Sequence, residues 1–308
     1  MSIRREFVAT MVVLFAAWAA NSAKAAPIID DAVFAHDFEQ VSGATITALR
    51  GPNATINSQS IVPSTYYPKS GSKQHITPTY SGNGRAEYVN MISQLITATE
   101  ELSYTIFYND QGDDGGDHVN SISSAILLSA TDYSKTGNNF WFGTTKYVPG
   151  VENPGADRHL WFGYSGAVIA VISTEKTPSA DSLWHQAGFV YQGGQTDGTV
   201  TFYFDGQQLG GPVTIKGVPE IGALVAPWTL IEDYEPYRSI SGDEYFDNGF
   251  YDEAALWTRA LSAGDMKALY EQGINANAVP EPCTLIVWSL LGASGVTLGW
   301  WRRRKRAG

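Results

Sequence analysis

Short runs of β-branched and aromatic residues, cut apart by clusters of Gly, Asn, Asp and Pro, recur along most of this chain and commit it to sheet. The clearest is "GTVTFYFDGQQLGG", residues 198–211. Successive side chains of a strand alternate, so Val200, Phe202 and Phe204 fall on one face and Thr201 and Tyr203 on the other. Asp205-Gly206 then supplies the residues that tolerate the positive φ angles of a type I′ turn, and the segment reads as a hairpin. "LSYTIFYND", "NFWFGTT", "LWFGYSGAVIAVIS", "LWHQAGFVYQG" and "FYDEAALWTR" repeat the pattern. Many short strands with no long amphipathic helix between them give an all-β sandwich or jelly roll.

One helix is marked near the end of this region. In "LSAGDMKALYEQG", Ser262 is the N-cap with Asp265 three residues on, a shorter relative of the capping box. Leu261 and Met266 hold the staple positions, and Gly273 can close the C-terminus. Residues 50–85 are rich in Ser, Thr, Gly, Pro and Asn with few aliphatics, and read as long surface loops.

Two apolar ends bracket the body. Arg4 and Arg5 precede the apolar run from Phe7 to Ala20, and Ala23-Lys24-Ala25 places small residues where a signal peptidase reads, so 1–25 is expected to be a cleaved leader. "RREFV" loosely resembles a twin-arginine signal, but Ile3 and Ala9 depart from it and the general secretory route fits better. At the other end, residues 276–282 form an extended stem ending in Val279, Pro280, Glu281 and Pro282, because proline cannot continue a helix. Residues 283–301 carry no charge. At about 1.5 Å per residue, they are just long enough to cross a hydrocarbon core of about 30 Å as a helix. The tail 302–308, with Arg302, Arg303, Arg304, Lys305 and Arg306, would stay cytoplasmic and leave the body outside.

Between these ends the body is acidic. Ala26–Pro282 keeps 12 of the 20 Lys and Arg and 30 of the 31 Asp and Glu, a formal charge of −18. Nucleic acid is therefore excluded as a partner, since it needs a basic face to displace counterions. Cations and neutral polymers fit such a charge. The sole cysteine, Cys283, lies in the apolar tail segment, so the body holds no disulfide and depends on a core or a metal.

The residues then carry a resemblance. "DSLWHQAGFVYQGG" and "GTVTFYFDGQQLGG", followed by "DNGFYDEAALWTRALSAGDMKALYEQG", resemble the laminin-G-like, concanavalin A-like jelly-roll family over about 183–273. Residues 32–182 match by strand pattern, with "FAHDFE" as the first strand. "VPEP", the apolar span and the basic block resemble the PEP-CTERM sorting tail of bacterial envelope proteins. That resemblance implies an exosortase that recognises Pro280-Glu281-Pro282 and cuts nearby, the alternative being a permanent single-span anchor. The jelly-roll resemblance implies a domain over 26–275 with one short C-terminal helix. It further implies a structural calcium ion between the first strand and the "DE" strand. Asp252 matches the family's position, and Asp37 and Glu39 are partners by position. The equal alternative is that Asp252 caps a strand end or pairs with Arg259.

Hydrolysis is the rival activity. Retaining glycosidases set two carboxyls about 5 to 5.5 Å apart, and residues i and i+2 of a strand share a face. Asp37/Glu39 and Asp233/Glu235 alone have that spacing among strand-like stretches, and neither reproduces the "E-x-D-x-x-E" pattern of the family's glucanases. The cluster Asp113, Asp114 and Asp117 lacks the Gly and Glu of an EF-hand, since His118 and Ser124 stand there, and reads as an acidic loop. His185 reads as a packed strand residue, and Tyr234 and Tyr237 as candidate sugar-stacking rings. The expectation is an exported, non-catalytic envelope or matrix protein whose jelly roll binds polysaccharide. The alternatives are a glycoside hydrolase and a purely structural surface protein.

Overall fold

Phe189 sits where two sheets face each other in the computed structural model, its ring 5.6, 5.0 and 5.2 Å from those of Phe140, Phe142 and Phe162 in the opposite sheet. Residues 27–56, 61–64, 75–78, 89–92, 97–110, 124–130, 140–145, 159–164, 169–177, 183–223, 228–230 and 249–274 are described. Ile28–Ala276 form one compact unit.

The first strands are β1 (Phe34–His36), β2 (Val41–Ser42), β3 (Thr45–Ile46), β4 (Ala54–Ile56), β5 (Ile61–Ser64), β6 (His75–Pro78) and β7 (Val89–Ile92). Then come β8 (Glu101–Asp110), β9 (Ser124–Ala130), β10 (Phe140–Thr145), β11 (His159–Tyr164), β12 (Ile169–Ile172) and β13 (Trp184–Gln192). β14 (Gly198–Phe204), β15 (Gln207–Gln208), β16 (Val213–Ile215), β17 (Trp228–Leu230) and β18 (Gly249–Trp257) precede helix α1 (Ala263–Gln272). One sheet runs β15-β14-β13-β8-β18-β6-β5, with β1 also on β18 and β16 also on β14. The other runs β12-β11-β10-β9-β17-β7-β4-β3-β2. All their pairings are antiparallel.

Alternation produces the core. Tyr104, Ile106, Phe189, Tyr191, Val200 and Phe202 from the first sheet pack on Phe140, Phe142, Leu160, Phe162 and Trp228 from the second. Burying such side chains stabilises the fold by roughly 1.5–3 kcal/mol each. The Asp205-Gly206 hairpin forms as its sequence dictates: φ is +49° and +72°, and Phe204 pairs with Gln207 across a two-residue turn. Tyr203, however, is buried along with Phe204, so the outer face of this hairpin is covered too.

What covers it is α1. Its N-terminus carries a full capping box: Ser262 Oγ accepts from the Asp265 N–H, and the Asp265 carboxylate accepts from the Ser262 N–H. Leu261 and Met266 are buried. Gly273 ends the helix at φ +76°, its N–H donating to the Leu269 carbonyl. A Cβ on Gly188 would lie 2.7 Å from Met266 Cε, and Tyr270 stacks on Phe107, so α1 lies against the outer side of the first sheet.

Two expectations fail here. Residues 50–85 contain β4, β5 and β6, where surface loops were expected. Ala54 and Ile56 are buried about an exposed Thr55, so a few apolar residues at period two, with ladder partners on both sides, suffice for a strand. Asp37 and Glu39 do not share a strand face, because β1 stops at His36 and Phe38 turns the chain through φ +53°. The leader, the stem, the span 283–301, the basic block, the loop 111–123 and residues 231–248 with Asp233, Tyr234, Glu235 and Tyr237 lie outside the described residues. Among the described residues no helix is long and apolar enough to cross a membrane.

Candidate functional site

β10 and β11 pair in a register that sets Trp141 opposite Gly163 and Gly143 opposite Trp161. Phe140, Phe142, Leu160, Phe162 and Tyr164 point into the core, so the residues between them face out. The two indoles form a cluster of their own, with ring centroids 5.7 Å apart and planes tilted by 51°. Trp141 lies flat over its glycine: a Cβ on Gly163 would come within 1.8 Å of the indole. Buried Trp141 thus buttresses Trp161, which stays partly exposed at the surface. A wide apolar ring with a rigid neighbour tilted against it is a platform for the flat, C–H-rich face of a sugar.

His159 stands two residues before Trp161 on the same outward-facing side of β11. Its Nδ1 lies 2.8 Å from the Ser173 carbonyl oxygen. A carbonyl only accepts, so Nδ1 carries a proton, and in the neutral ring Nε2 is the acceptor. Ser173 is held in turn, its hydroxyl accepting from the Leu160 N–H and donating to the Glu175 carbonyl. An acceptor of fixed orientation next to an aromatic platform is what orients a polar ligand at an otherwise apolar site.

The residues singled out in the sequence take the following places. Asp252 is buried within β18, and its Oδ1 accepts from the Glu253 N–H at 2.8 Å. A bulge follows, between the pairs Asp252–Phe107 and Ala255–Thr105, with Glu253 at φ +48°. Glu253, buried in its turn, accepts from the Ile274 N–H at 2.9 Å and so fastens the chain just beyond α1. Arg259 pairs with Asp31 and, at 3.8 Å, with Asp265. Asp37 accepts from the Glu39 N–H across the Phe38 turn, and burial raises its carboxyl above the usual range, with the Glu39 charge adding to the rise. Among the described residues, no three or more His, Cys, Asp or Glu side chains gather as a metal-ligand set.

His185 stacks on Phe204 at 4.7 Å and donates through Nδ1 to Asp205, whose other oxygen accepts from the Gln186 N–H. This ties the hairpin turn to β13, in keeping with a packing role. Sequence reasoning missed Trp141, Trp161 and His159 as a group. The signal was present as tryptophans alternating with glycines in "NFWFGTT" and "HLWFGYSG", but the diagonal that joins them is a matter of register.

No protein-family model matches the chain, and no curated protein matches it. Solved structures do. The native heptameric SAP-like pentraxin from Limulus polyphemus is 14% identical with a TM-score of 0.39, over 61% of this chain and 77% of that one. The botulinum neurotoxin serotype G binding domain is 11% identical with a TM-score of 0.50, over 78% of this chain and 50% of that one. A mutant Trypanosoma rangeli sialidase displaying trans-sialidase activity is 10% identical with a TM-score of 0.47, over 88% and 40%. The chain spans about half the length of the toxin binding domain. Likeness at this level concerns the fold alone: the chain is a two-sheet antiparallel β sandwich with one short helix, consistent with a jelly roll.

Proposed function

We propose that this chain is an exported, non-catalytic binding module for polysaccharide, acting at the cell envelope or in the extracellular matrix. The observation that carries the reading is the Trp161 platform, buttressed by Trp141 over Gly163 on the outer face of the β9–β12 sheet. The sequence of the ends supports export: a leader read by signal peptidase, then Val279-Pro280-Glu281-Pro282, an uncharged span and the block Arg302–Arg306, which an exosortase would sort. The reading includes a structural calcium ion near β1 and β18, where His36 pairs with Ala254 next to the bulge that follows Asp252.

The full chain in mild detergent, applied to a glycan array with and without calcium, tests this. The expected result is retention on a polysaccharide class that Trp161→Ala abolishes while leaving thermal unfolding in place. Retention unchanged by Trp161→Ala removes the platform from the function. A chain that binds no glycan favours the purely structural alternative.

A further inference from the structure

We propose that His159 makes this face select neutral, hydroxyl-rich glycans over glycans that carry carboxylates. The proposal rests on the reading of the Trp161 face as a polysaccharide site. The argument is one of donors and acceptors. Buried His159 spends its Nδ1–H on the Ser173 carbonyl at 2.8 Å, and the Ser173 hydroxyl is itself engaged by the Leu160 N–H and the Glu175 carbonyl. The ring cannot flip without leaving that buried carbonyl unsatisfied, a loss worth more than the mean hydrogen bond. In the neutral ring, Nε2 is therefore the lone-pair acceptor, on the side of the strand that carries Trp161.

A sugar lying on Trp161 meets that acceptor with a hydroxyl, which can donate to it. Against the neutral ring, a uronate presents lone pairs to a lone pair, and loses hydration with nothing to replace it. The body's charge of −18 acts in the same direction at longer range, repelling any polyanion before contact. These two contributions separate by salt. At 1 M the Debye length is about 3 Å, so the long-range repulsion is screened while the contact between lone pairs is not.

The test uses the full chain in mild detergent, by affinity electrophoresis, against neutral glucans and the same glucans oxidised at C6 to glucuronans. We expect roughly tenfold or greater preference for the neutral polymer, about the effect of one hydrogen bond, and a preference that persists in 1 M salt. Equal retardation in high salt overturns the proposal, leaving only net charge. His159→Gln, whose amide can turn an N–H toward a carboxylate, should narrow the preference; an unchanged ratio removes His159 from the selection. Trp161→Ala separates the two readings. If it leaves retardation by the neutral glucans intact, the platform itself is wrong. If it abolishes retardation while wild type and His159→Gln show the same neutral-to-acidic ratio, the site stands and the selectivity claim fails. No retardation by any of the polymers overturns both.

Discussion

On the outer face of one sheet, Gly188 lies beneath Met266, Phe107 beneath Tyr270, and the indole N–H of Trp257 reaches the Ile28 carbonyl. On the outer face of the other, Gly163 also lies beneath a large side chain, but that side chain, Trp141, comes from the neighbouring strand and supports a second indole at the surface. Glycine serves the same steric purpose in both places, making room for a bulky group to lie flat on the sheet. The first face uses the room to seat its own helix. The second uses it to build a rigid aromatic surface. A face covered by its own chain contributes stability, whereas a face that ends in a partly exposed indole beside an oriented imidazole is the one we propose for a ligand.

This contrast breaks most readily from the helix side. Met266 is fully buried against Gly188, so Met266→Ala should leave a cavity and cost about 2–5 kcal/mol. Urea unfolding of the full chain measures it. Glycan retention by molecules still folded should not change, because the helix is on the other sheet. A binding loss that tracks stability, or exceeds it, would mean that the two faces are coupled through the core.

The second effect, of similar size, arises between the sheets. His36 is fully buried beside Phe34 and Phe38, and among the described residues neither ring nitrogen has a hydrogen-bond partner of ordinary geometry. Desolvation by burial lowers its pKa to about 4, with the nearby Thr47 backbone offsetting only part of this. The unfolded chain protonates this histidine near 6.5, so folding keeps it neutral where the unfolded state gains a proton. Stability from this group is complete above pH 6.5 and drains away as pH falls toward 4, by about 3 kcal/mol in all. In His36→Leu, that part of the acid slope should vanish. An identical pH profile would show that the imidazole is already solvated or paired.

How much of this was legible in the sequence depended on how local the cause was. The Asp205-Gly206 turn and the Ser262–Asp265 cap were read correctly because each is decided within four residues, by φ preference and by a side chain reaching its own backbone. The strand pattern and the sandwich followed from alternation. β4 to β6 were missed because their apolar content is low, and pairing with β7 and β18 supplied what composition did not. Asp37 and Glu39 misled because a left-handed phenylalanine is not foreseeable from residue type. The Glu253 bulge and the tautomer of His159 depend on partners 21 and 14 residues away. The tryptophan pair was out of reach until the register of β10 on β11 was known.

The smallest effect sharpens the contrast by loosening the helix without removing any of its contacts. Ser262 and Asp265 each satisfy the other's backbone N–H, at 3.1 and 3.2 Å, and Arg259 lies 3.8 Å from the same Asp265 carboxylate. Ser262→Ala deletes one hydrogen bond of that box and should cost about 1 kcal/mol. Because Met266 and Tyr270 keep their places on the sheet, the loss should appear as faster amide exchange in the first turn of α1, with exchange in β10 and β11 unaltered. A uniform rise across both sheets would mean that the cap reports global unfolding, and that the covered face and the aromatic face stand or fall as one cooperative unit.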